Sequence, residues 1–165
     1  METVYIGLGS NLGDSQGQLT SALEAMDQLG STRVQAVSSM YASKPMGPQD
    51  QPDYVNAVAQ LETQLSPAAL LRSLQKIEQD HHRQRKDERW GPRTLDLDIL
   101  LYGDQKIDTP DLVIPHYGMA EREFVLVPLF ELSPSMIMPD GKPIAKWVAR
   151  CSLDGLRRLR SSNLS

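Results

Sequence analysis

Asp96 and Asp98 are separated by one residue within an apolar run that ends at Leu101. Alternate side chains of a β-strand point to the same face, so both carboxylates are predicted to lie together, with Leu97 and Ile99 opposite. Neighbouring carboxylates repel each other unless a cation neutralises them. Mg²⁺ prefers carboxylate oxygens in combination with substrate phosphates, so it is the cation that suits this pair. Taken alone, however, an Asp-x-Asp pair more often forms the solvent-facing side of an edge strand.

Basic side chains are concentrated immediately before these carboxylates, between Arg83 and Arg93. Guanidinium groups match phosphate oxygens in geometry and in charge, so Arg89 and Arg93 are candidates for phosphate binding. A run of charges by itself usually marks a solvated connection. Because this run leads directly into the carboxylate strand, the combination favours a catalytic metal and phosphate site.

The bulk composition predicts one ordinary globular domain over residues 1–165, of which 40% are hydrophobic and 23% charged. The net charge of −4 and the pI near 5.3 argue against a general nucleic-acid-binding protein. Cys151 is the only cysteine, which excludes an intrachain disulfide and predicts a reducing compartment. The first residues do not have the pattern of a signal peptide, and no apolar run approaches the ~20 residues that a membrane helix needs. We therefore expect a cytoplasmic protein.

Four segments have the composition and alternation of β-strands. They are Thr3–Leu8, Arg33–Tyr41, Tyr54–Glu62 and the stretch that begins at Asp96. In the third, Tyr54 and Asn56 share a face. An aromatic ring next to an amide suits a flat, hydrogen-bonding heterocycle, although on composition alone an ordinary solvent face is the simpler interpretation.

Two segments between these strands have helical periodicity. The first covers Leu19–Leu29, and the second begins at Ser66 as N-cap with Pro67 as the first helical residue. The buried stripe of the second helix is predicted to consist of Leu70, Leu74 and Ile77. Gln75 and Glu78 lie about a quarter-turn away, at the rim of whatever this helix packs beside.

The resulting order β-α-β-β-α-β is the ferredoxin-like order. It predicts an α+β fold, an αβ sandwich in which two helices pack on one face of an antiparallel sheet and the other face stays open for a site. Beyond it we expect a strand over Phe124–Val127, a helical turn opening at Pro128 and a short helix over Ile144–Ala149. Residues 143–165 are a weakly specified tail, and its end at Arg157–Asn163 is expected to fray.

Loop 43–53 contains three prolines and a glycine, which exclude regular structure. A loop of this length in a compact domain is often a lid or a binding loop, and a tolerated surface insertion is the equally weighted alternative.

The stretch Arg89–Ile99 resembles the signature of the 6-hydroxymethyl-7,8-dihydropterin pyrophosphokinase family, which acts in folate biosynthesis. Four further segments resemble the same family in the same order: Gly9–Gly13, Gly47–Asn56, Arg83–Lys86 and Pro115–Tyr117. The likeness runs from about Thr3 to Pro139. Several spaced motifs in one order make it specific.

This resemblance implies transfer of the ATP pyrophosphoryl group to the hydroxymethyl oxygen of the pterin, with release of AMP. The oxygen attacks the β-phosphorus, so catalysis depends mainly on positioning and electrostatic stabilisation. Two Mg²⁺ ions on Asp96 and Asp98 are implied, bridging the triphosphate and the attacking oxygen. The implied partners are small molecules only, without nucleic acid or membrane, and we expect a monomer.

The resemblance also implies roles for individual residues. The implied catalytic residues are Arg83, Arg93, Asp96 and Asp98. The implied ATP-binding residues are Gln75, Glu78, Arg85, Lys86, Trp90, Arg93, Ile99, His116, Tyr117 and Arg122. The implied pterin-binding residues are Ser43, Pro45, Met46, Tyr54, Asn56, Trp90 and Phe124. Within the last set, Tyr54 and Phe124 would form aromatic walls around the pterin, and Asn56 would be its hydrogen-bonding partner.

The chain departs from the family pattern at four positions. Lys44 replaces a common proline, and His82 replaces a common glycine. Asp111 and Val113 stand where some members have a basic residue and a threonine, so nucleotide contacts at these two positions are not carried over.

Two alternatives remain at this stage. A nucleotidyl cyclase or polymerase-like enzyme would also use two carboxylates, but it would release pyrophosphate, and it does not explain Tyr54, Asn56 and Phe124 together. A non-catalytic ferredoxin-like module that binds a ligand or RNA is the other alternative. The acidic pI and the lack of an aromatic-basic pattern argue against RNA.

Overall fold

The structure is a computed structural model that describes residues 1–10, 14–43, 54–82, 95–116, 118–119, 122–152 and 156–160. Its strands are β1 (Glu2–Ser10), β2 (Thr32–Val37), β3 (Met40–Ser43), β4 (Tyr54–Thr63), β5 (Asp96–Tyr102), β6 (Ile107–Asp108), β7 (Val113–Ile114) and β8 (Leu156–Arg160). Its helices are α1 (Ser15–Asp27), α2 (Pro67–His82), α3 (Glu123–Leu132) and α4 (Ile144–Ala149). No helix in these ranges is both long enough and apolar enough to span a membrane.

An antiparallel sheet organises the fold, with the strand order β5-β1-β4-β3-β8 and with β2 also paired to β4. β1 lies between β4 and β5 and pairs with both. β6 and β7 form a separate small hairpin. The ferredoxin-like α+β fold is confirmed, and the predicted order β-α-β-β-α-β differs only in that its second strand is divided into β2 and β3.

Helices α1 and α2 pack on one face of the sheet, which we call the core face. Its strand side chains include Val4, Ile6, Leu8, Val55, Ala57, Ala59, Leu61, Leu97 and Ile99. They pack against the predicted α2 stripe of Leu70, Leu74 and Ile77 and against apolar residues of α1. Each buried Leu or Ile contributes about 1.5–3 kcal/mol. This face therefore supplies much of the stability of the fold.

Helices α3 and α4 lie on the opposite face, which we call the site face. Their cluster with the sheet comprises Val58, Leu100, Met119, Val125, Leu126, Leu129, Met138 and Ile144. The expectation of an open face is therefore wrong for the part above Val58 and Leu100. The remaining part of the site face forms a cavity.

The segment predicted as one strand from Arg33 to Tyr41 is two strands, β2 and β3, separated at Ser38 and Ser39. The Ser38 N–H donates to the Val58 carbonyl over 2.9 Å, and its Oγ accepts from the Val58 N–H over 3.0 Å. The Ser38 hydroxyl oxygen thus takes the place of a backbone acceptor for the Val58 N–H at this point. Both strands still pair with β4.

The strand predicted over Phe124–Val127 is wrong, because these residues belong to α3 and Pro128 lies inside that helix. A short, uninterrupted apolar run fits a buried helix as well as a strand. In α3 the run is explained by contacts with both the sheet and α4. The predicted helix over Ile144–Ala149 is confirmed.

The fraying expected for Arg157–Asn163 is wrong for the residues up to 160, because β8 pairs with β3. In this register Tyr41 lies opposite Arg158, and Leu159 packs against the core. Arg157 and Arg158 are exposed, and charged side chains on an edge strand discourage pairing with other chains.

Candidate functional site

The site face carries a cavity of about 210 Å³ at the N-terminal end of α3. It is lined by Gly7, Leu8, Gly9, Ser43, Tyr54, Asn56, Ala57, Asp96, Asp98, Arg122, Phe124 and Val125. A cavity of about 150 Å³ is large enough to hold benzene. This one is therefore large enough for a flat bicyclic ring.

Two glycines of β1 form the floor of this cavity. In the sheet register Gly9 lies between Asn56 and Asp96, and Gly7 lies between Val58 and Asp98. Because Gly9 has no side chain, Asn56 of β4 and Asp96 of β5 flank a position without a side chain between them. At Gly7 the neighbour on β4 is the apolar Val58, and the Leu100 side chain lies 3.4 Å from where a Cβ would be. A Cβ on Gly9 would lie 3.1 Å from Asn56 Nδ2, so the glycine also permits the close approach of this amide.

The buried pair of Ser43 and Asn56 forms one side of the cavity. The Ser43 hydroxyl donates to Asn56 Oδ1 over 2.7 Å, and both residues are less than a tenth exposed. This bond fixes the orientation of the amide and directs its NH₂ group as the donor end. The structure thus brings together Ser43, Tyr54, Asn56 and Phe124, four residues predicted for the pterin side.

Asp96 and Asp98 are half-buried on the site face of β5, while Leu97 and Ile99 are buried on the core face. The predicted alternation is therefore confirmed. Among the described residues no group of three or more His, Cys, Asp or Glu side chains could hold a metal ion. Two carboxylates nevertheless fit Mg²⁺, because this ion commonly takes its other oxygens from water and substrate phosphates.

Glu78 holds the backbone between the two carboxylates. Its Oε2 accepts from the Leu97 N–H over 2.8 Å. Since β5 ends the sheet, this bond connects α2 to the outer edge of the strand. The family resemblance implies that Glu78 and Gln75 bind ATP. In the structure Glu78 contacts the backbone of Leu97, between the two candidate metal ligands Asp96 and Asp98. Gln75 on the same helix is exposed.

His116 lies next to Asp98, with 3.9 Å between Nε2 and the Asp98 Oδ2. The Gly118 N–H donates to His116 Nδ1 over 3.1 Å, which leaves Nε2 as the protonated nitrogen of the neutral ring. Burial lowers the pKa of His116, and the Arg122 charge lowers it further against the opposing attraction of Asp98. At neutral pH His116 is therefore a neutral hydrogen-bond donor beside the carboxylates.

Arg122 precedes α3, and its guanidinium carbon lies over the ring of Phe124, 5.9 Å from the centroid. Both side chains line the cavity. Arg122 therefore brings a positive charge to the aromatic side of the cavity that Asp96 and Asp98 also line.

Other predicted site residues are not brought to this cavity or are not described. Ile99 is buried in the core cluster, on the opposite face of β5 from the carboxylates. The following lie outside the described residues: Pro45, Met46, Arg83, Arg85, Lys86, Trp90, Arg93 and Tyr117.

The sequence interpretation missed Gly7, Gly9 and Gly118. Gly7 and Gly9 did carry a signal, because two glycines at alternate positions of an otherwise β-branched and aromatic strand indicate a close approach on one face.

Comparisons with known proteins show to which family the chain is related. A family model described as 7,8-dihydro-6-hydroxymethylpterin-pyrophosphokinase (HPPK) matches residues 5–134. A Pseudomonas aeruginosa protein named 2-amino-4-hydroxy-6-hydroxymethyldihydropteridine pyrophosphokinase is 50% identical over 159 residues, which are 96% of this chain and 98% of that protein. A Haemophilus influenzae protein of the same name is 55% identical over 148 residues, which are 90% and 92% of the two chains.

Solved structures resemble the fold at lower identity. A Plasmodium falciparum HPPK-DHPS triple mutant solved with pteroate is 13% identical, with a TM-score of 0.71. The match covers 95% of this chain and 46% of that chain. At this identity the likeness supports the fold alone.

Proposed function

This chain belongs to the 7,8-dihydro-6-hydroxymethylpterin-pyrophosphokinase family, and on that premise we propose how its site performs the reaction. The pyrophosphoryl group of ATP passes to the hydroxymethyl oxygen of 6-hydroxymethyl-7,8-dihydropterin, and AMP is released. The observation that carries the proposal is that the Asp96 and Asp98 carboxylates line the same cavity as Tyr54, Asn56 and Phe124. Such a site can hold the triphosphate and a flat heterocycle with their reacting atoms together.

The slot binds the pterin. Tyr54 and Phe124 provide the aromatic walls, and the Asn56 amide, oriented by Ser43, hydrogen-bonds the edge of the ring. A buried amide left unpaired costs about 1–3 kcal/mol. The slot therefore discriminates against flat molecules that lack the matching acceptor.

The carboxylate side binds the triphosphate. Asp96 and Asp98 would hold Mg²⁺, and we expect two ions. When bound, these ions supply neutralisation of the negative charge on the phosphates and the attacking oxygen. Arg122 and the Nε2–H of His116 add positive charge and a donor at the same end of the cavity.

Glu78 supports this side by holding the β5 backbone at Leu97. A carboxylate pair must be fixed within a few tenths of an ångström to orient a triphosphate for in-line attack. The bond from α2 therefore contributes to positioning, in addition to any contact that Glu78 makes with ATP.

The remaining ATP contacts rest on the sequence resemblance. They are Gln75, Arg85, Lys86, Trp90, Arg93, Ile99 and Tyr117, and because the Ile99 side chain is buried on the core face, its contact would be made by the backbone. The resemblance also makes Arg83 and Arg93 catalytic residues that contact the phosphates. On the pterin side it adds Pro45, Met46 and Trp90. We further propose that the enzyme is a cytoplasmic monomer with small-molecule partners only.

Product analysis tests the proposal. The purified chain is incubated with ATP, the hydroxymethyl-dihydropterin and Mg²⁺, and nucleotides are separated by chromatography. AMP and the pterin diphosphate in equal amounts are expected. ADP would indicate transfer of one phosphoryl group, and free pyrophosphate would indicate attack at the α-phosphorus as in a cyclase. Tight pterin binding without any nucleotide product would favour the non-catalytic alternative.

A further inference from the structure

Gly118 lies against the guanidinium group of Arg122. A Cβ built on Gly118 would be 2.9 Å from Arg122 Nε, 3.1 Å from Cζ and 3.2 Å from one terminal nitrogen. These separations are shorter than normal van der Waals contacts. The guanidinium therefore occupies space that any side chain at position 118 would fill.

The same guanidinium lies over the Phe124 ring, 5.9 Å from its centroid. The Arg122 guanidinium therefore has Gly118 and the Phe124 ring as neighbours. Gly118 leaves room for the guanidinium and Phe124 lies beside it, at the edge of the cavity that Asp98 also lines. Without such neighbours the Arg122 side chain would have many alternative rotamers.

We propose that Gly118 is a positioning residue, whose missing side chain seats the Arg122 guanidinium where it meets the phosphates of the substrate. This inference rests on the proposed function. Gly118 touches no reacting atom and acts only through Arg122.

The backbone at Gly118 does not require glycine. Its φ lies outside the left-handed region, in contrast to Gly103 at 51° and Gly141 at 84°. The atoms that a methyl group would meet belong to the end of a flexible side chain, so the arginine can move away at little cost to stability. Alanine also retains the N–H that donates to His116 Nδ1. Gly118→Ala therefore changes the space available to Arg122 and preserves the neighbouring hydrogen bond.

The first test compares Gly118→Ala with wild type and with Gly30→Ala. Gly30 is a matched control, because a Cβ there would meet no atom within 4 Å and its φ is ordinary. A displacement of about 1 Å can cost up to about a hundredfold in rate, so we expect Gly118→Ala to lower kcat/KM roughly tenfold, chiefly through the KM for ATP. The melting temperatures of both variants should match that of wild type.

The second test is a double-mutant cycle with Arg122→Ala. If Gly118 acts through Arg122, Gly118→Ala should have almost no further effect once the guanidinium is absent. Additive effects would overturn the inference, as would wild-type kinetics for Gly118→Ala. Failure of this variant to fold would also overturn it, since only the Arg122 side chain should move.

The same experiment separates this inference from the proposed function. If wild type and Gly30→Ala both fail to form AMP, the proposed function fails. The positioning of Arg122 is then decided by calorimetric binding of a non-hydrolysable ATP analogue with Mg²⁺. Weaker binding by Gly118→Ala than by Gly30→Ala would support it, and equal binding would contradict it.

Discussion

The two faces of the sheet differ in chemistry although they are built from the same strands. On β5, Leu97 and Ile99 enter the core face, while Asp96 and Asp98 enter the site face. On β1 and β4 the same alternation separates aliphatic side chains from glycines and an amide. The core face is closed by packing along its whole length, whereas the site face is covered by α3 and α4 in one part and keeps a polar cavity in the other.

This difference shows how one rigid scaffold combines stability with reactivity. Apolar contacts on the core face fix the strands, and the strands in turn hold the carboxylates and the amide in place on the site face. The same polar groups on a loop would be positioned less precisely. Substitutions of core-face side chains should therefore alter stability, and substitutions of the polar side chains that line the cavity should alter turnover.

Removal of Mg²⁺ should have the largest effect, and only on the site face. We expect a chelator to abolish AMP formation and added Mg²⁺ to restore it, because the phosphates and two carboxylates would otherwise repel one another. The melting temperature without ATP should be unchanged by the chelator, since no apolar packing depends on the ion. Full turnover in excess chelator would refute the metal assignment.

Asn56→Ala should raise the KM for the pterin by about 10- to 100-fold, the equivalent of losing about 1–3 kcal/mol of hydrogen bonding in a buried slot. Leu61→Ala is the control on the same strand, because Leu61 is fully buried on the core face. It should cost about 2–5 kcal/mol of unfolding free energy with little change in KM. Steady-state kinetics and urea unfolding of both variants measure the contrast, and a KM for Asn56→Ala equal to that of wild type would remove the pterin assignment.

Ser43→Ala should have a smaller effect of the same kind. It removes the hydroxyl that donates to Asn56 Oδ1 and orients the amide. A hydrogen bond of this kind contributes about 0.5–1.5 kcal/mol, so the KM for the pterin should rise roughly two- to tenfold. Ser73→Ala is a suitable control, because it removes a hydroxyl that donates to the Ala69 carbonyl within α2, on the opposite side of the sheet from the cavity. Equal KM values for the two variants would show that Ser43 does not orient the amide.

The attachment of α3 offers a pH-dependent test. Glu131 accepts from the Tyr41 hydroxyl over 2.6 Å and from the Ser39 N–H over 2.8 Å, which ties α3 to the strand that carries Ser43. Burial, followed by this bond to Glu131, raises the pKa of Tyr41 above its ordinary value of 10.0. A raised pKa means that the stabilisation is complete below pH 10 and is lost as the pH rises toward the folded-state value.

Wild type should therefore lose stability more steeply than Tyr41→Phe above pH 10, by at most about 1.4 kcal/mol per pH unit. Urea unfolding between pH 8 and pH 11 measures the difference. If the unfolding free energies of the two proteins changed with pH in parallel, the loss of stability at alkaline pH would not be due to Tyr41.

The sequence predicted the elements in which local pattern and tertiary context agree. The stripe of Leu70, Leu74 and Ile77 and the alternation around Asp96 and Asp98 were both confirmed. Each prediction depends on a single periodicity, that of a helix or that of a strand, which is maintained because one face of the element is buried in the core.

The errors arose where context decides the structure. The apolar run at Phe124 forms a helix because the sheet and α4 cover it on both sides, and no local signal distinguishes that from a buried strand. The tail at Arg157 is ordered because an edge of β3 was available to it. The role of Gly118 depends on the position of Arg122, a contact that spacing along the chain does not specify.

The most direct measurement compares Leu97→Ala with Asp98→Ala, two adjacent residues on opposite faces of β5. We predict that Leu97→Ala loses about 2–5 kcal/mol of unfolding free energy while the folded fraction keeps its kcat. Asp98→Ala should retain its stability within about 1 kcal/mol and lose about 10²- to 10³-fold in kcat. Undiminished turnover of folded Asp98→Ala would contradict the division of labour between the two faces.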